Sequence, residues 1–277
     1  MTGIEPNRAA LGYRTDPLPF FRGSKTPAGL YARQKWLGQA GEAGFQRDFG
    51  ATVKSIVRGQ STDGSWQGSI IKTIRALFGL HLTLRNPDQG VSQGLGWLLD
   101  KALPWGRARL TRPAPEELWG LPFVPGRGDV LLGAAALFLA SIFDRAHGPV
   151  VRAGYEEALD LAAKGPGKLG WASVNNLLRA LAVHPRFSRH KQTQALVDRL
   201  GQAQGRDGLW PRGVSLHQTF NALAHLEETP PVKQLKQVLI YLQRSQGADR
   251  GWGRTDREWK TFLVVHALKR LGLLKSA

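Results

Sequence analysis

The sequence predicts an all-α protein in which about five to six helical hairpins close into two concentric layers of helices. Two observations carry this prediction. A seven-residue motif, Gln-x-x-Asp-Gly-x-Trp, occurs twice, and a degraded copy of it occurs a third time. In addition, amphipathic helical segments alternate along the chain with segments that are apolar on almost every side. Because motifs that recur at intervals of tens of residues mark repeated supersecondary units, we expect a stack of similar hairpins.

The residues of the motif are expected to hold neighbouring hairpins together. The three copies read QSTDGSW, QGRDGLW and QGADRGW, and the third keeps the Gln-to-Trp spacing and the Asp. Asp-Gly favours a tight turn, Trp offers a large apolar face with one N–H, and the Gln amide can satisfy free groups at helix ends. We therefore predict a structural role for nine residues, which are Gln60, Asp63, Trp66, Gln204, Asp207, Trp210, Gln246, Asp249 and Trp252.

Helical periodicity divides the chain, taken as a single domain over residues 1–277, into five units and one preceding helix. Each unit pairs an outer amphipathic helix with a more apolar inner helix, and the inner segment Thr261–Leu268 is apolar almost all round. Such hairpins must stack to bury their faces, and strongly apolar inner helices favour a closed ring, the α/α-toroid, over an open superhelix. Whether five or six hairpins close the ring stays open. The predicted units are residues 46–84, 91–143, 150–183, 190–226 and 231–272, and the preceding helix covers about 27–38.

The composition excludes several kinds of function. The chain has 277 residues and no cysteine, which rules out disulfides, thiolate zinc sites, iron–sulfur clusters and a cysteine nucleophile. It shows no leader-like apolar run at its start, and its most apolar stretch, Val130–Phe143, is too short to span a bilayer. We therefore expect a cytoplasmic protein, with peripheral contact to a membrane as an alternative.

The charge balance is strongly basic. A formal charge of +17 favours an anionic partner, such as a phosphate compound, a nucleic acid or an acidic membrane surface. The alternative is a basic surface without a specific partner, as in a generally basic proteome. No recognisable nucleic-acid-binding motif accompanies the charge.

The motif spacing resembles the QW motif of squalene–hopene cyclases and related terpenoid cyclases, and the repeats of protein prenyltransferase β subunits. The C-terminal run Trp259–Gly272 is similar to the closing repeat of bacterial prenyltransferase and squalene oxidase repeat proteins. The resemblance covers roughly residues 46–272. It implies a toroid whose inner helices surround a central chamber for an isoprenoid-like or other apolar ligand. It says much less about activity, because one fold hosts many functions.

Polar residues on a predicted inner helix are the first candidates for chemistry or binding. His217, Asn221 and His225 recur every four residues and form one polar stripe. His217 is similar in position to the zinc-ligand histidine of prenyltransferase β subunits, but the cysteine that the same site requires is absent. The metal set of that family is therefore not carried over, and we assign no residue as a metal ligand. A zinc site of His with Asp or Glu stays open in principle, and the cofactor stays unknown. The structural alternative is a pair of buried, hydrogen-bonded histidines.

Two carboxylates at helix starts are further catalytic candidates. Asp129 could protonate an alkene, but it is also well placed as the N-cap of the apolar helix that follows. Asp256 is expected in the first turn of the last inner helix, where the helix dipole favours an acid. Thr255-x-x-Glu258 has the pattern of a capping box. The Asp-rich motifs of class I and class II terpenoid cyclases are absent.

A long connection over residues 104–128 contains five prolines. Connections of this length in a compact domain are usually functional or mobile. We expect Trp119 in this connection to contact a ligand, and Arg107, Arg109 and Arg112 to meet an anionic ligand as a lid over the chamber. A solvated insertion is the alternative.

Three functions are compatible with these features. The first is a divergent toroid that binds or processes an isoprenoid-like or other apolar ligand in a central chamber. The second is a metal- or acid-dependent prenyl-type transferase or cyclase that uses His217 with Asp129 or Asp256. The third is a non-catalytic scaffold whose basic rim binds an acidic protein, a nucleic acid or a membrane. A deep apolar chamber that His217 faces would favour the first two, and an inner barrel filled by side chains would favour the third.

Overall fold

A computed structural model describes residues 12–84, 88–105, 113–145, 147–226 and 231–275, and the architecture of these residues is all-helical, as predicted. None of the helices in these ranges is long and apolar enough to cross a membrane. The α-helices are α1 (Pro27–Lys35), α2 (Ala43–Arg58), α3 (Ile70–Thr83), α4 (Gln89–Ala102), α5 (Gly128–Ile142), α6 (Pro149–Leu169), α7 (Trp171–Ala182), α8 (Lys191–Ala203), α9 (Leu216–Leu223), α10 (Val232–Ser245) and α11 (Arg257–Arg270).

The odd-numbered helices form a closed inner ring. Each of them packs against the next odd-numbered helix, and α11 packs against α1. The even-numbered helices lie outside the ring, where α2 contacts α1 and α3, α4 contacts α3 and α5, and α6 contacts α5 and α7. The fold is therefore an α/α-toroid, and the described part of the chain contributes six inner and five outer helices.

The most apolar helix shows why the layers arrange in this way. Helix α5 is buried along nearly all of its length, from Val130 to Ala140. It packs on α3 and α7 within the ring and on α4 and α6 outside it, so no side of the helix is left for solvent. A helix that is apolar on every side is stable only in such a position.

The three motifs make the same set of hydrogen bonds, which we call the clasp. Each Gln Nε2 donates to the carbonyl of the fifth motif residue, at 2.9 to 3.0 Å. Each Trp indole N–H donates to a carbonyl of the preceding outer helix, at 2.7 to 3.0 Å. Each Asp carboxylate accepts from the N–H two residues later, at 2.9 to 3.3 Å. Each of the nine motif residues thus has at least one side-chain polar group bonded to the main chain, although Gln204 Oε1 is buried without a hydrogen-bond partner.

The third clasp differs at one position of its turn. The Gly of the first two motifs, Gly64 and Gly208, has a φ of +90° and +84°. Arg250 occupies the same place in the third motif, at a φ of +75°, and its side chain is exposed. The left-handed region is costly for residues with a Cβ, so this turn is strained in the third clasp only.

The third clasp also closes the ring. Gln246 Oε1 accepts from the N–H groups of Arg14 and Thr15 at 2.6 and 3.0 Å, and its Nε2 donates to the Thr15 carbonyl at 2.8 Å. In the other clasps the equivalent Nε2 donates to Gly90 and Gln234, near the starts of α4 and α10. The N-terminal segment therefore stands where a sixth outer helix would begin.

Aromatic side chains pack inside the ring. Phe78 of α3 contacts Phe138 of α5 at 5.9 Å and Trp259 of α11 at 5.3 Å between ring centroids. Trp259 in turn stacks on Phe262 at 5.2 Å. Because α1 separates α3 from α11 in the ring, the contact between Phe78 and Trp259 crosses the interior. Side chains thus occupy space in which the resemblance implied a chamber.

Candidate functional site

The N-terminal ends of the inner helices form one end of the ring, here the ring mouth, and residues 117–124 lie across it. We call these residues the mouth segment. On one side, Arg75 of α3 donates to the carbonyls of Glu117 and Trp119, the latter at 2.6 Å. Next to it, Asp256 Oδ2 accepts from the N–H of Gly120 at 3.1 Å.

The mouth segment continues over the centre of the ring to its far side. The Leu121 carbonyl accepts from Trp259 Nε1 at 3.1 Å and from Gln218 Nε2 at 3.4 Å, and Gln218 also donates to the Phe123 carbonyl at 3.1 Å. The amide of Asn176 on α7 bonds both the N–H and the C=O of Val124, each at 2.9 Å. The segment therefore spans the mouth from α3 to α7.

Apolar side chains of the mouth segment fill the mouth. Leu118, Leu121 and Phe123 are buried, and Phe123 meets Phe138 edge-on at 5.7 Å between ring centroids. The long connection thus covers the end of the ring through its main chain and its apolar residues. The arginines predicted to form a lid, Arg107, Arg109 and Arg112, lie outside the described residues.

A cleft of about 790 Å³ lies beside the mouth, between the start of α1, helices α2 and α3, the mouth segment and the start of α11. We call it the side cleft. Its wall is mostly apolar and includes Pro27, Ala51, Ile56, Phe78, Leu82 and Trp119. Trp119 is 53% exposed, so the structure places this predicted ligand contact on the cleft surface. Lys72, Arg75, Asp256 and Glu258 are the charged residues that line the cleft.

Asp256 lines the side cleft and has an unusual backbone conformation. It directly precedes α11 with a φ of +48°, in the left-handed region. Burial raises the pKa of its carboxyl above the ordinary value, against the lowering effect of the hydrogen bond from Gly120. The expected position in the first helical turn is therefore wrong by one residue. Non-glycine residues in strained conformations often mark functional sites, which keeps Asp256 a candidate.

The predicted capping box at the start of α11 does not form. The Glu258 carboxylate instead accepts from the hydroxyls of Ser24 and Thr26, and no side chain caps this helix. Glu258 thus ties the last inner helix to the segment that precedes α1, because the closed ring brings these parts of the chain together.

His217 lies half-buried near the start of α9, at the mouth. Burial, with a smaller effect of Lys260, lowers its pKa to about 4, so the imidazole is neutral at pH 7. The same Lys260 also acts on the pKa of Asp256. The structure therefore brings two of the three predicted catalytic residues near one lysine.

Asp129 has a different environment. Arg127 is the residue before α5, and Asp129 lies in the first turn, so the predicted N-cap role is wrong. Its carboxylate pairs with the Arg127 guanidinium at 2.6 Å. Burial is the largest single effect and opposes ionisation of Asp129. The hydrogen bond and positive charge of Arg127 and the main-chain hydrogen bonds together outweigh it and lower the pKa. A carboxylate held ionised in this way is poorly suited to protonating a substrate.

The other members of the polar stripe bond to neighbouring inner helices. Asn221 accepts from Arg179 at 2.7 Å and donates to the Leu263 carbonyl at 3.1 Å, and it bonds His266 Nδ1 at 3.1 Å. His225 stacks on His266 at 5.5 Å between centroids. Burial, helped by nearby positive groups, holds the pKa of His225 well below its ordinary value. These contacts are those of a packed polar network.

Arg179, Gln218 and Asn176 are residues of the ring interior that sequence reasoning missed. Arg179 is 3% exposed, its guanidinium lies 5.3 Å from the centroid of the Phe138 ring, and burial lowers its pKa to about 9. For Arg179 and Asn176, the signal available in the sequence was the run WASVNNLLRALA, in which polar residues interrupt an otherwise apolar helix. Buried polar groups of this kind require partners, which here are other inner helices and the mouth segment.

No group of three or more His, Asp or Glu side chains within the described residues is arranged to hold a metal ion. The sequence, for its part, matches no family model. It also matches no curated protein.

Solved structures with a similar fold include the following two. One is a protein from Actinoplanes, with a TM-score of 0.56 and 18% identity over 92% of this chain and 89% of that chain. The other is alpha-2-macroglobulin from E. coli in its native conformation, with a TM-score of 0.52 and 16% identity over 93% of this chain and 17% of that chain. At such identities the likeness is one of fold alone.

Proposed function

We propose that this toroid binds an isoprenoid-like or other elongated apolar ligand in the side cleft, and that it acts as a binding protein rather than as an enzyme. The observation that carries the proposal is the cleft itself, which has a volume of about 790 Å³ and a mostly apolar wall. Ligand sites of small molecules typically have volumes of about 300–1,000 Å³ and predominantly apolar linings.

The packing of the ring interior supports a site beside the centre rather than in it. Phe78, Trp259 and the mouth segment fill the region between the inner helices at the mouth. Chemistry in a central chamber would require these groups to leave. The predicted acid Asp129 pairs with Arg127, which further weakens the acid-dependent alternative.

The resemblance of the motifs to those of terpenoid cyclases and prenyltransferases supports an isoprenoid-like chain as the ligand. The cleft offers such a chain the aromatic faces of Trp119, Phe78 and Trp259. Asp256 also lines the cleft, and its carboxyl can bond a hydroxyl at one end of the ligand.

A substitution that fills the cleft tests the proposal. Ala51 on α2 lines the side cleft and is exposed, so Ala51→Trp should occupy the cleft without disturbing the core. Farnesol, an uncharged isoprenoid alcohol, is titrated while the tryptophan fluorescence is recorded, because Trp119 lies on the cleft wall. We expect binding by the wild type and an affinity at least about tenfold weaker for Ala51→Trp.

Ala163→Trp is the matched control, because Ala163 is an exposed alanine on the outer helix α6, outside the cleft. It should bind farnesol as the wild type does. Equal loss of binding in both variants, or saturable binding that Ala51→Trp leaves unchanged, would show that the ligand does not lie in the side cleft. Absence of any binding by the wild type would favour the alternative function, a non-catalytic scaffold, over ligand binding.

A further inference from the structure

Polar side chains around the ring mouth form hydrogen bonds with main-chain groups of the mouth segment. Arg75, Gln218 and Trp259 donate to four carbonyls of the mouth segment, and Asp256 accepts from one of its N–H groups. Asn176 bonds both main-chain groups of a single residue, Val124. Recognition of this kind depends on the path of a peptide, so it does not require that the peptide belong to the same chain.

The core of the mouth segment has the composition of a peptide ligand. Residues 120–125 read GLPFVP, and Leu121 and Phe123 are its buried anchors. One proline directly follows Leu121, and the other lies two residues after Phe123. Proline fixes its own φ and restricts the residue before it, which lowers the entropy lost on binding. The N–H groups that the mouth uses belong to Gly120 and Val124, so the missing N–H of Pro122 costs no contact.

The mouth segment lies in the connection between α4 and α5. Helix α4 ends at Ala102 and helix α5 begins at Gly128, so the segment belongs to neither helix. Residues 103–116 precede it and residues 125–127 follow it. Its exchange for another peptide breaks the hydrogen bonds and the apolar contacts described above.

From these observations we infer that the ring mouth is a peptide-binding site, and that the mouth segment is its internal ligand. The partner is a segment of another protein that carries a Gly-Leu-Pro-Phe-Val-like sequence, with Leu and Phe as anchors. In the wild type the internal ligand competes with such a partner at an effective concentration in the millimolar range, typical of a tethered segment.

A variant with a weakened internal ligand tests the inference. Leu121→Ala with Phe123→Ala removes both anchors but leaves the main chain and the mouth residues intact. A fluorescently labelled peptide of residues 115–126 is titrated against this full-length variant and against the wild type, by anisotropy. We expect the variant to bind at least about tenfold more tightly than the wild type, because the tethered competitor is weakened. Bound peptide should also raise the melting temperature of the variant.

Two controls separate recognition from general loosening of the fold. Phe45→Ala with Leu242→Ala removes the same kinds of buried side chain from α2 and α10, away from the mouth. It should lose stability but gain no affinity for the peptide. A peptide with Asp in place of both anchors should bind neither variant. Binding of this Asp peptide, or stabilisation of the control variant by the original peptide, would overturn the inference.

If the variant without the two anchors does not fold, hydrogen exchange of the wild type tests the inference instead. In the wild type, excess peptide should accelerate exchange of the Gly120 and Val124 amides, because they leave Asp256 and Asn176 when the internal ligand is displaced. Unchanged exchange of both amides at millimolar peptide would contradict the inference.

Discussion

The strained turn of the third clasp offers a sharp test of the structural role of the motifs. Arg250 takes the place of the motif Gly at a φ of +75°. Its side chain is exposed, so its structural role rests on its main-chain hydrogen bonds. Its N–H bonds the Gly247 carbonyl at 2.9 Å, and its carbonyl accepts from Gln246 at 2.9 Å. Arg250→Gly preserves both bonds and removes only the strain.

The expected magnitude follows from two opposing effects. The left-handed region costs about 1–2 kcal/mol for a residue with a Cβ, and glycine adopts it without this cost. Glycine gains flexibility in the unfolded chain, which costs about 0.5–1 kcal/mol. We therefore expect Arg250→Gly to raise the free energy of unfolding by about 0.5–1 kcal/mol, measured by urea denaturation at constant m-value.

Two matched substitutions complete this test. Ala248→Gly alters the same turn at a residue without positive φ, and it should lower stability by about 0.5–1 kcal/mol. Gly208→Ala should cost more, since its new Cβ would lie 2.5 Å from the Gln237 carbonyl oxygen. If Arg250→Gly destabilised the protein as Ala248→Gly does, the three motifs would not share one turn geometry and the reasoning would fail.

Two further predictions concern ring closure and pH. Gln246→Ala should lower the free energy of unfolding by about 2–4 kcal/mol. Gln204→Ala should lower it by about half as much, because only Gln246 also bonds Arg14 and Thr15. Equal losses of stability in urea titrations of the two variants would argue against the closing role of the third clasp. Burial lowers the pKa of His217 in the folded protein to about 4, against an ordinary value of 6.5. Between these two pH values the unfolded state binds a proton that the folded state does not. The free energy of unfolding of the wild type should therefore fall by up to about 3 kcal/mol as the pH falls from 6.5 to about 4. His217→Asn should lose that much less over the same range, and parallel pH profiles for the two proteins would show that His217 titrates normally.

Much of the fold could be predicted from the sequence, because a motif that recurs along the chain marks repeated structural units. The motif spacing and the apolar character of segments such as Val130–Phe143 predicted paired layers, and the structure confirms an all-helical toroid. Whether five or six hairpins close the ring could not be predicted, because ring closure involves a contact between Gln246 and residues 14–15 that no periodic pattern marks.

The candidate site was less predictable, since it arises from parts of the chain that are far apart in sequence. Asp256 reaches the mouth segment through Gly120, and Glu258 reaches Ser24 in place of the expected local cap. A local hydrogen-bonding pattern such as a capping box competes with tertiary hydrogen bonds for the same side chain, and here Glu258 forms the tertiary ones. Nor could periodicity show that residues from the long connection fill the ring mouth, because irregular segments have no period.

A crystal structure of the protein with farnesol bound is the most direct test of the central claim, that the ligand site lies beside the ring and not at its centre. The account predicts the isoprenoid chain between α2 and α3, against Ala51 and Trp119, with the aromatic packing of Phe78 and Trp259 unchanged. A ligand found inside the ring, with the mouth segment and these aromatic side chains displaced, would contradict it.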